Sequence, residues 1–244
     1  MLERLQYLKI SPRRILDAGS GPARDARALM AAFGKVEFIA LDHSLAMLRA
    51  GRARFFEKKK FVCGELARLP LAAQSIDFVW SNMALHWAEP LATLREFQRV
   101  LAPEGLLMFS TLGPDSLREL RVAAGPERVH EFLDMHDIGD MLVHAGFADP
   151  VMDMEYVTLT YDAPRALLAE LKAIGATNRT RGRPHGLMGR NRFARVLARL
   201  ERARKDGRIP ATFEVVYGHA WKGEPRTTAE GHPIVRLQRP GRPR

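Results

Sequence analysis

The sequence predicts an α/β fold: an open seven-stranded, mostly parallel sheet with helices on both faces and a helical cap inserted near its end. Three observations predict it. Between Ile15 and Ser110, short apolar runs suited to strands covered on both faces alternate five times with amphipathic stretches. A glycine turn, Asp17-Ala18-Gly19-Ser20-Gly21, joins the first such strand to the first helix. Two later β-prone stretches, 151–161 and 212–221, are separated by a basic helical segment too long for a hairpin connection.

Taken in order, residues 1–12 are a short lead with Leu2, Leu5 and Leu8 at helical spacing. Ile15-Leu16 enters the glycine turn, and Ala26, Leu29, Met30 and Phe33 give the following helix its apolar face. Glycine lets the main chain turn tightly and lets a ligand approach it. The helix N-terminus behind the turn suits an anion. Residues 36–41 form the second strand, which ends in Asp42. Ser44 is placed to cap a helix begun by Leu45, Met47 and Leu48; this helix is predicted to end within 55–60, with Lys58-Lys59-Lys60 as a solvated turn. Residues 61–63 form the third strand, with Glu65 and Leu66 just past its carboxyl end. Residues 76–80 form the fourth, with Asn82 and His86 past its end. Leu91, Leu94, Phe97, Val100 and Leu101 make one helical face, broken by Pro103-Glu104-Gly105 before a fifth strand at 106–110.

Stretches 114–124 and 137–145 read as helices, the second stopped by Gly146. Helical stretches 165–174 and 191–205 flank Arg181-Gly182-Arg183-Pro184-His185-Gly186. The expected organisation is a main body of residues 1–163 and 209–221, an inserted basic cap of 164–208, and a Pro/Gly/Arg-rich stretch of 222–244 expected to be poorly ordered.

The candidate site lies at the carboxyl ends of the strands. A carboxylate closing the second strand, Asp42, is placed to accept both hydroxyls of a ribose. A dinucleotide pyrophosphate wants Gly-x-Gly-x-x-Gly, but Arg24 occupies the third glycine position, and no Gly-Lys-Ser/Thr follows. The pattern therefore fits a nucleoside without a pyrophosphate. S-adenosylmethionine is such a ligand, with its amino-acid end at the Asp17–Gly21 turn and its ribose on Asp42. Glu65 is placed to accept from an adenine amino group with Leu66 against the ring; a plain surface-loop acid is the competing reading.

Composition narrows the class. With 46% hydrophobic residues in 244, the chain can bury a core. Nothing approaches the roughly 18 continuous apolar residues of a membrane span, and the first residues lack a signal-peptide layout. Cys63 is the only cysteine, so no internal disulfide forms; a cytoplasmic location is expected. Cys63 itself reads as a small strand residue, and no metal site is expected. The net charge of +10 is concentrated: between Arg179 and Arg208 there are eleven Lys/Arg against Glu201 and Asp206. Such a patch favours an acidic partner over the bland reading of a solvated helix face. Phe193 is the only aromatic ring of the Phe, Tyr or Trp type in that stretch, which argues against nucleic acid.

Together, Asp17-Ala-Gly-Ser-Gly21, Asp42, Leu69-Pro70, Ser81-Asn-Met-Ala-Leu-His-Trp87 and Arg99-Val-Leu-Ala-Pro-Glu-Gly105 resemble the class I S-adenosylmethionine-dependent methyltransferases, with their Rossmann-like fold. Longer stretches narrow the resemblance to the malonyl-[acyl-carrier protein] O-methyltransferases of biotin synthesis. These are Phe109-Ser-Thr-Leu-Gly-Pro-Asp115, Phe132-Leu-Asp-Met-His-Asp-Ile-Gly-Asp140, Ala145-Gly-Phe-Ala-Asp-Pro-Val-Met-Asp153, Leu171-Lys-Ala-Ile-Gly-Ala176 and Phe213-Glu-Val-Val-Tyr-Gly-His-Ala-Trp221. The resemblance spans residues 2–221.

It implies S-adenosyl-L-methionine as cofactor, with Asp17, Gly19 and Gly21 at its methionine end, Asp42 on its ribose, Glu65 and Leu66 at its adenine, and Asn82 and Met83 beneath the sulfonium. It implies an acidic acyl-carrier protein bearing a malonyl thioester as partner. It also implies a segment ahead of the position of Met1, with aromatic residues that close over the cofactor. Pro22-Ala23 and Glu65 depart from the Thr-Gly and Asp usual at those places. The chemistry asks for no catalytic base, because a carboxylate with an ordinary pKa of about 4 is already ionised. His86 and His136 accordingly read as pocket-lining or structural, and Arg179, Arg181 and Arg183 are the candidates to hold the substrate carboxylate. A related arginine hydroxylase of complex I assembly shares the Phe132–Asp137 pattern, but would prefer an acidic pocket to this basic cap. A scaffold that keeps the cofactor fold and binds an acidic partner is the remaining alternative.

Overall fold

Five parallel strands bring their carboxyl ends to one edge of the sheet: β1 (Arg14–Ala18), β2 (Glu37–Asp42), β3 (Lys59–Cys63), β4 (Ile76–Asn82) and β5 (Leu101–Leu112). The structure, a computed structural model, describes residues 1–52, 59–178, 182–184, 186 and 188–223. Two further strands, β6 (Phe147–Tyr161) and β7 (Ile209–Lys222), complete the order β3-β2-β1-β4-β5-β7-β6, with β7 antiparallel to both its neighbours. The chain leaves β1 toward β2 and β3 and returns to place β4 on β1's other side. Open parallel sheets bind ligands at such a reversal, outside the carboxyl ends, and here the ends of β1 and β4 meet where Asp17 pairs with Trp80.

Helices cover both faces. α1 (Ala26–Phe33) packs Ala26 and Leu29 with Phe38, Phe78 and Trp80, all fully buried. On the other face, α3 (Pro90–Val100) and α5 (Met135–His144) pack Leu94, Phe97 and Leu142 with Val79, Leu107 and Phe147. Burial of each such side chain contributes about 2 kcal/mol. α3 starts cleanly because Pro90 tolerates the first helical position and the Glu89 carboxylate accepts the Ala92 N–H. α2 (Leu45–Arg52) follows β2; of the predicted helix end at 55–60, residues 55–58 lie outside the described residues and Lys59 and Lys60 are in β3.

β7 pairs with the end of β5 at Val215 but begins at Ile209, so the β6–β7 pair projects about 20 Å past that edge at roughly 3.3 Å per residue. α6 (Pro164–Ala173) and α7 (Arg190–Arg202) sit at this projecting end. Leu167, Leu171, Val196 and Leu200 form a separate apolar cluster there with Leu117 and α4 (Arg118–Ala124). No helix among the described residues is long and apolar enough to cross a membrane.

Several boundaries differ from the sequence reading. Lys59 and Lys60 belong to β3, where Lys60 pairs with Glu37 of β2, rather than to a turn. β5 begins at Leu101, because Pro103-Glu104-Gly105 is a bulge within the strand: the pairing with β4 jumps from Leu101 to Leu106, and Glu104 takes φ +60°. Gly105 is needed there, since a Cβ would lie 2.8 Å from the Ala102 carbonyl. α4 begins at Arg118 rather than at 114, after a residue of positive φ, Leu117. β6 begins at Phe147, before a register shift between Ala148 and Val151. Lys222 lies in β7, and 224–244 fall outside the described residues.

Candidate functional site

The turn after β1 is built on backbone donors. The N–H groups of Gly19 and Ser20 both reach the Leu41 carbonyl, at 2.8 and 2.9 Å. Gly21 N–H donates to Asp42 Oδ2 at 2.8 Å, and Ser44 N–H donates to Asp42 Oδ1 at 2.8 Å. The buried Asp42 carboxylate thus ties the turn to the end of β2. Gly19 has φ +78°, and a Cβ there would lie 2.2 Å from the Ala84 Cβ, so only glycine fits. Gly21 has φ +52°, and nothing lies within 4 Å of where its Cβ would point: the space above the turn is open.

Asp17 is the penultimate residue of β1 and is only 3% exposed. Burial, then the nearby carboxylates of Asp25 and Asp42, hold its pKa well above the usual range. No donor among the described residues reaches its carboxyl. Asp25, at the start of α1, was not among the residues singled out from sequence. Its Oδ2 accepts Trp80 Nε1 at 2.9 Å and Asn82 Nδ2 at 2.8 Å. Asn82 Oδ1 in turn accepts the Ser110 hydroxyl at 2.6 Å, and Met83 N–H donates to Ser110. One hydrogen-bonded chain therefore crosses from the turn over β4 to β5. The signal for Asp25 was indirect: Asn82 ends an apolar strand and needs a partner on the α1 side.

Asn82, Met83 and Ser110 face a cleft of about 490 Å³ shared with Met1, Leu2, Val215 and Tyr217. Tyr217 donates to Glu155 at 2.6 Å, and its pKa is pushed up to about 12, first by burial and then by that carboxylate. The Arg4 guanidinium lies 4.2 Å from the Tyr217 ring centroid and pairs with Asp153, laying the first residues over this cleft. Leu66 stands beside the turn, with Cδ1 3.8 Å from where a Gly19 Cβ would be. Glu65 is exposed and bridged through its backbone to Arg68.

A second cavity, of about 400 Å³, opens on the α3–α5 side of the same edge. His86, Trp87, Thr111, His130 and Phe132 line it. His86 Nδ1 lies 3.2 Å from Thr111 Oγ1, and burial followed by the neighbouring His130 lowers its pKa to about 4. His136 is exposed at the start of α5, bonded to Asp134 at 2.7 Å, away from both spaces. Of the three arginines proposed for the substrate, Arg183 is exposed between α6 and α7, whereas Arg179 and Arg181 lie outside the described residues.

The fold and this strand-edge site define a class I methyltransferase, whose methyl donor is S-adenosylmethionine. Residues 16–109 match the family described as "Methyltransferase domain". The chain is 53% identical to the malonyl-[acyl-carrier protein] O-methyltransferase of Gallionella capsiferriformans over 97% of this chain and 86% of that one. It is 50% identical to the protein of that name from Methylovorus sp., over 93% and 81%. The chain belongs to the malonyl-[acyl-carrier protein] O-methyltransferase family. Among solved structures, the YcgJ protein of Bacillus subtilis superposes with a TM-score of 0.66 at 16% identity, covering 91% of this chain and 97% of that one. Phosphoethanolamine N-methyltransferase 2 of Haemonchus contortus, solved with S-adenosyl-L-methionine, gives 0.57 at 18% identity, over 91% and 51%. These two likenesses bear on the fold.

Proposed function

We propose that this chain methylates the free carboxylate of a malonyl thioester carried by an acidic acyl-carrier protein, in biotin synthesis. The observation that carries the reading is the 53% identity to a relative of that name across nearly the whole chain. Asp17, Gly19 and Gly21 take the methionine end of the cofactor, Asp42 its ribose, Glu65 and Leu66 its adenine, and Asn82 and Met83 lie beneath the sulfonium.

Local geometry supports this. The open space over Gly21 leaves room for a ligand against the main chain. Each Asp42 oxygen accepts one backbone N–H and keeps a lone pair for a ribose hydroxyl. Asn82 is held from both sides before any ligand arrives. Glu65 is the weakest of the set, because its side chain is exposed.

When bound, S-adenosylmethionine supplies a methyl group made electrophilic by the sulfonium. The chain need not move a proton, since the acceptor carboxylate is ionised near neutral pH. Its part is to orient the carboxylate and exclude water. An arginine between α6 and α7, Arg183 or its neighbours Arg179 and Arg181, grips the carboxylate. Arg195 and Arg202, both exposed on α7, attract the acidic carrier.

The test is to incubate the chain with S-adenosylmethionine and malonyl-acyl-carrier protein and to weigh the carrier-bound group. A gain of one methylene mass is expected. An unmodified carrier, with cofactor binding intact by calorimetry, contradicts the reading.

A further inference from the structure

Two stretches that stand out in the sequence, Leu69-Pro70 and Arg99–Gly105, have no part in the reading above. The fold joins them. We propose that Glu96 and Arg99 of α3 are positioning residues for cofactor binding: they pin the loop between β3 and β4 so that Glu65 and Leu66 are held ready for the adenine. This inference rests on the assignment of the adenine to those two residues.

The loop has little regular structure of its own. Between Cys63 and Ile76, the strand pairing among the described residues is one isolated bridge, Glu65 with Arg68, where the Arg68 N–H donates to the Glu65 carbonyl at 3.1 Å. That short turn carries Leu66 to the side of Gly19. Its front is tied to the residue assigned to the ribose: the Gly64 N–H donates to the Asp42 carbonyl at 3.1 Å. Its rear is the buried Leu69.

At Leu69 both main-chain groups are taken by α3. The N–H donates to Glu96 Oε2 at 2.7 Å, and the carbonyl accepts Arg99 Nη2 at 3.0 Å. Arg99 Nη1 also donates to the Leu71 carbonyl at 2.8 Å. The two side chains lock each other, with Arg99 Nε on Glu96 Oε1 at 2.7 Å and Nη2 on Oε2 at 2.8 Å, a bidentate pair. Further along the loop, the Gln74 and Ser75 N–H groups donate to the Arg99 and Val100 carbonyls at 3.0 and 2.8 Å. Pro70 closes the loop on itself: a Cβ on Gly64 would lie 3.0 Å from Pro70 Cδ.

The support is rigid. Leu94, Phe97 and Val100 of α3 are fully buried in the core, so Glu96 and Arg99, one helical turn apart, start from a fixed base. The Arg99 hydrogen bonds, opposed by burial and helped by the Leu69 N–H, hold the Glu96 carboxyl below its ordinary pKa. An ordinary surface ion pair contributes little; this one grips the backbone of a loop 27 residues away. α3 also follows the Asn82–Met83 segment along the chain, so the pin ties the adenine side of the site to the sulfonium side.

The test titrates S-adenosylhomocysteine, the cofactor without its methyl group, into the wild type, Arg99→Met, Leu66→Ala and the double variant by calorimetry, with stoichiometry read beside Kd. Each single variant should raise Kd about tenfold at unchanged stoichiometry. The double variant should be within about twofold of the weaker single variant, because a released loop no longer presents Leu66. Arg192→Met, which breaks the pair with Glu127 in the cap, should bind as the wild type does. Where Arg99→Met does not fold, Arg99→Lys keeps the charge without the planar fork and carries the same cycle, with a rise of about threefold. Losses that multiply in the double variant, or a wild-type Kd in the Arg99 variant, overturn the inference while leaving the adenine assignment standing. A wild-type Kd in Leu66→Ala, or no binding by the wild type, overturns the adenine assignment and this inference with it.

Discussion

At the glycine turn, three carboxylates, Asp17, Asp25 and Asp42, stand close together, and among the described residues none is paired with a lysine or arginine. In the cap, arginines dominate, and they divide in two. Arg192 pairs with Glu127, Arg199 donates to the Ala123 carbonyl, and Arg204 and Arg208 are tied to Glu201, Asp162 and nearby carbonyls. Arg195 and Arg202 have no such tie among the described residues and face outward on α7. Around Asp25 and Asp42 the turn holds charge with neutral N–H donors, so these two acids serve the fold, whereas Asp17 has no donor among the described residues and burdens it. The cap fixes some of its charge and leaves the rest to solvent. Loss of Gly19 or Asp42 should therefore break stability and cofactor binding together, whereas damage to the free cap arginines should change only how a partner arrives.

The largest effect is expected at the turn's tightest point. Gly19→Ala places a methyl group against Ala84 at positive φ, and should cost about 3 kcal/mol or more in chemical denaturation. A wild-type midpoint would mean that the turn yields easily. Next comes a pH effect on the far side of β4. His86 titrates at about 4 in the folded chain and near 6.5 unfolded, so the unfolded chain binds more protons in that window. Stability should be complete above pH 6.5 and fall by up to about 3 kcal/mol as pH drops toward 4. His86→Gln should flatten that part of the wild-type pH profile; an identical profile would show that His86 is not the group concerned.

Asp17 carries the opposite sign. Its pKa is raised in the fold, so its ionisation costs stability as pH rises above the ordinary carboxylate range. Asp17→Asn should therefore melt higher at pH 7 while binding S-adenosylmethionine more weakly; a lower Tm would deny that the buried charge is a burden. The smallest effect belongs to the cap. Arg195→Glu with Arg202→Glu should leave Tm unchanged and slow carrier-protein capture a few-fold at low salt only, as for exposed steering charges. Arg199→Ala instead removes a fixed contact and should lower stability by about 1 kcal/mol without altering the salt dependence.

The parallel half of the molecule was legible because its strands are covered on both faces and read as continuous apolar runs, and because Gly19, Gly21 and Asp42 sit at fixed offsets along one βαβ unit. What escaped was non-local or conformational. Asp25 looks like any acid at a helix start until the fold brings Trp80 and Asn82 to it from more than fifty residues away. Pro103-Glu104-Gly105 carries the residues of a chain break, yet the ladder absorbs them as a bulge. Glu214 is a charged residue on the buried face of β7, in phase with Thr212, Val216 and Ala220, where its carboxylate accepts the Asp115 N–H and its backbone carbonyl accepts the Ser116 hydroxyl. The His86 cavity needs three separate loops and elements to close it, and no local pattern announces that.

The most direct test of the contrast between turn and cap is calorimetric titration of S-adenosylmethionine into the wild type, Asp42→Ala and the Arg195→Glu/Arg202→Glu double variant, side by side. Asp42→Ala loses both the ribose acceptor and the anchor of Gly21, and its Kd should rise by about 100-fold, while the double variant should bind as the wild type does. Unchanged affinity in Asp42→Ala, or a loss in the cap variant instead, would contradict the assignment of the cofactor to the turn.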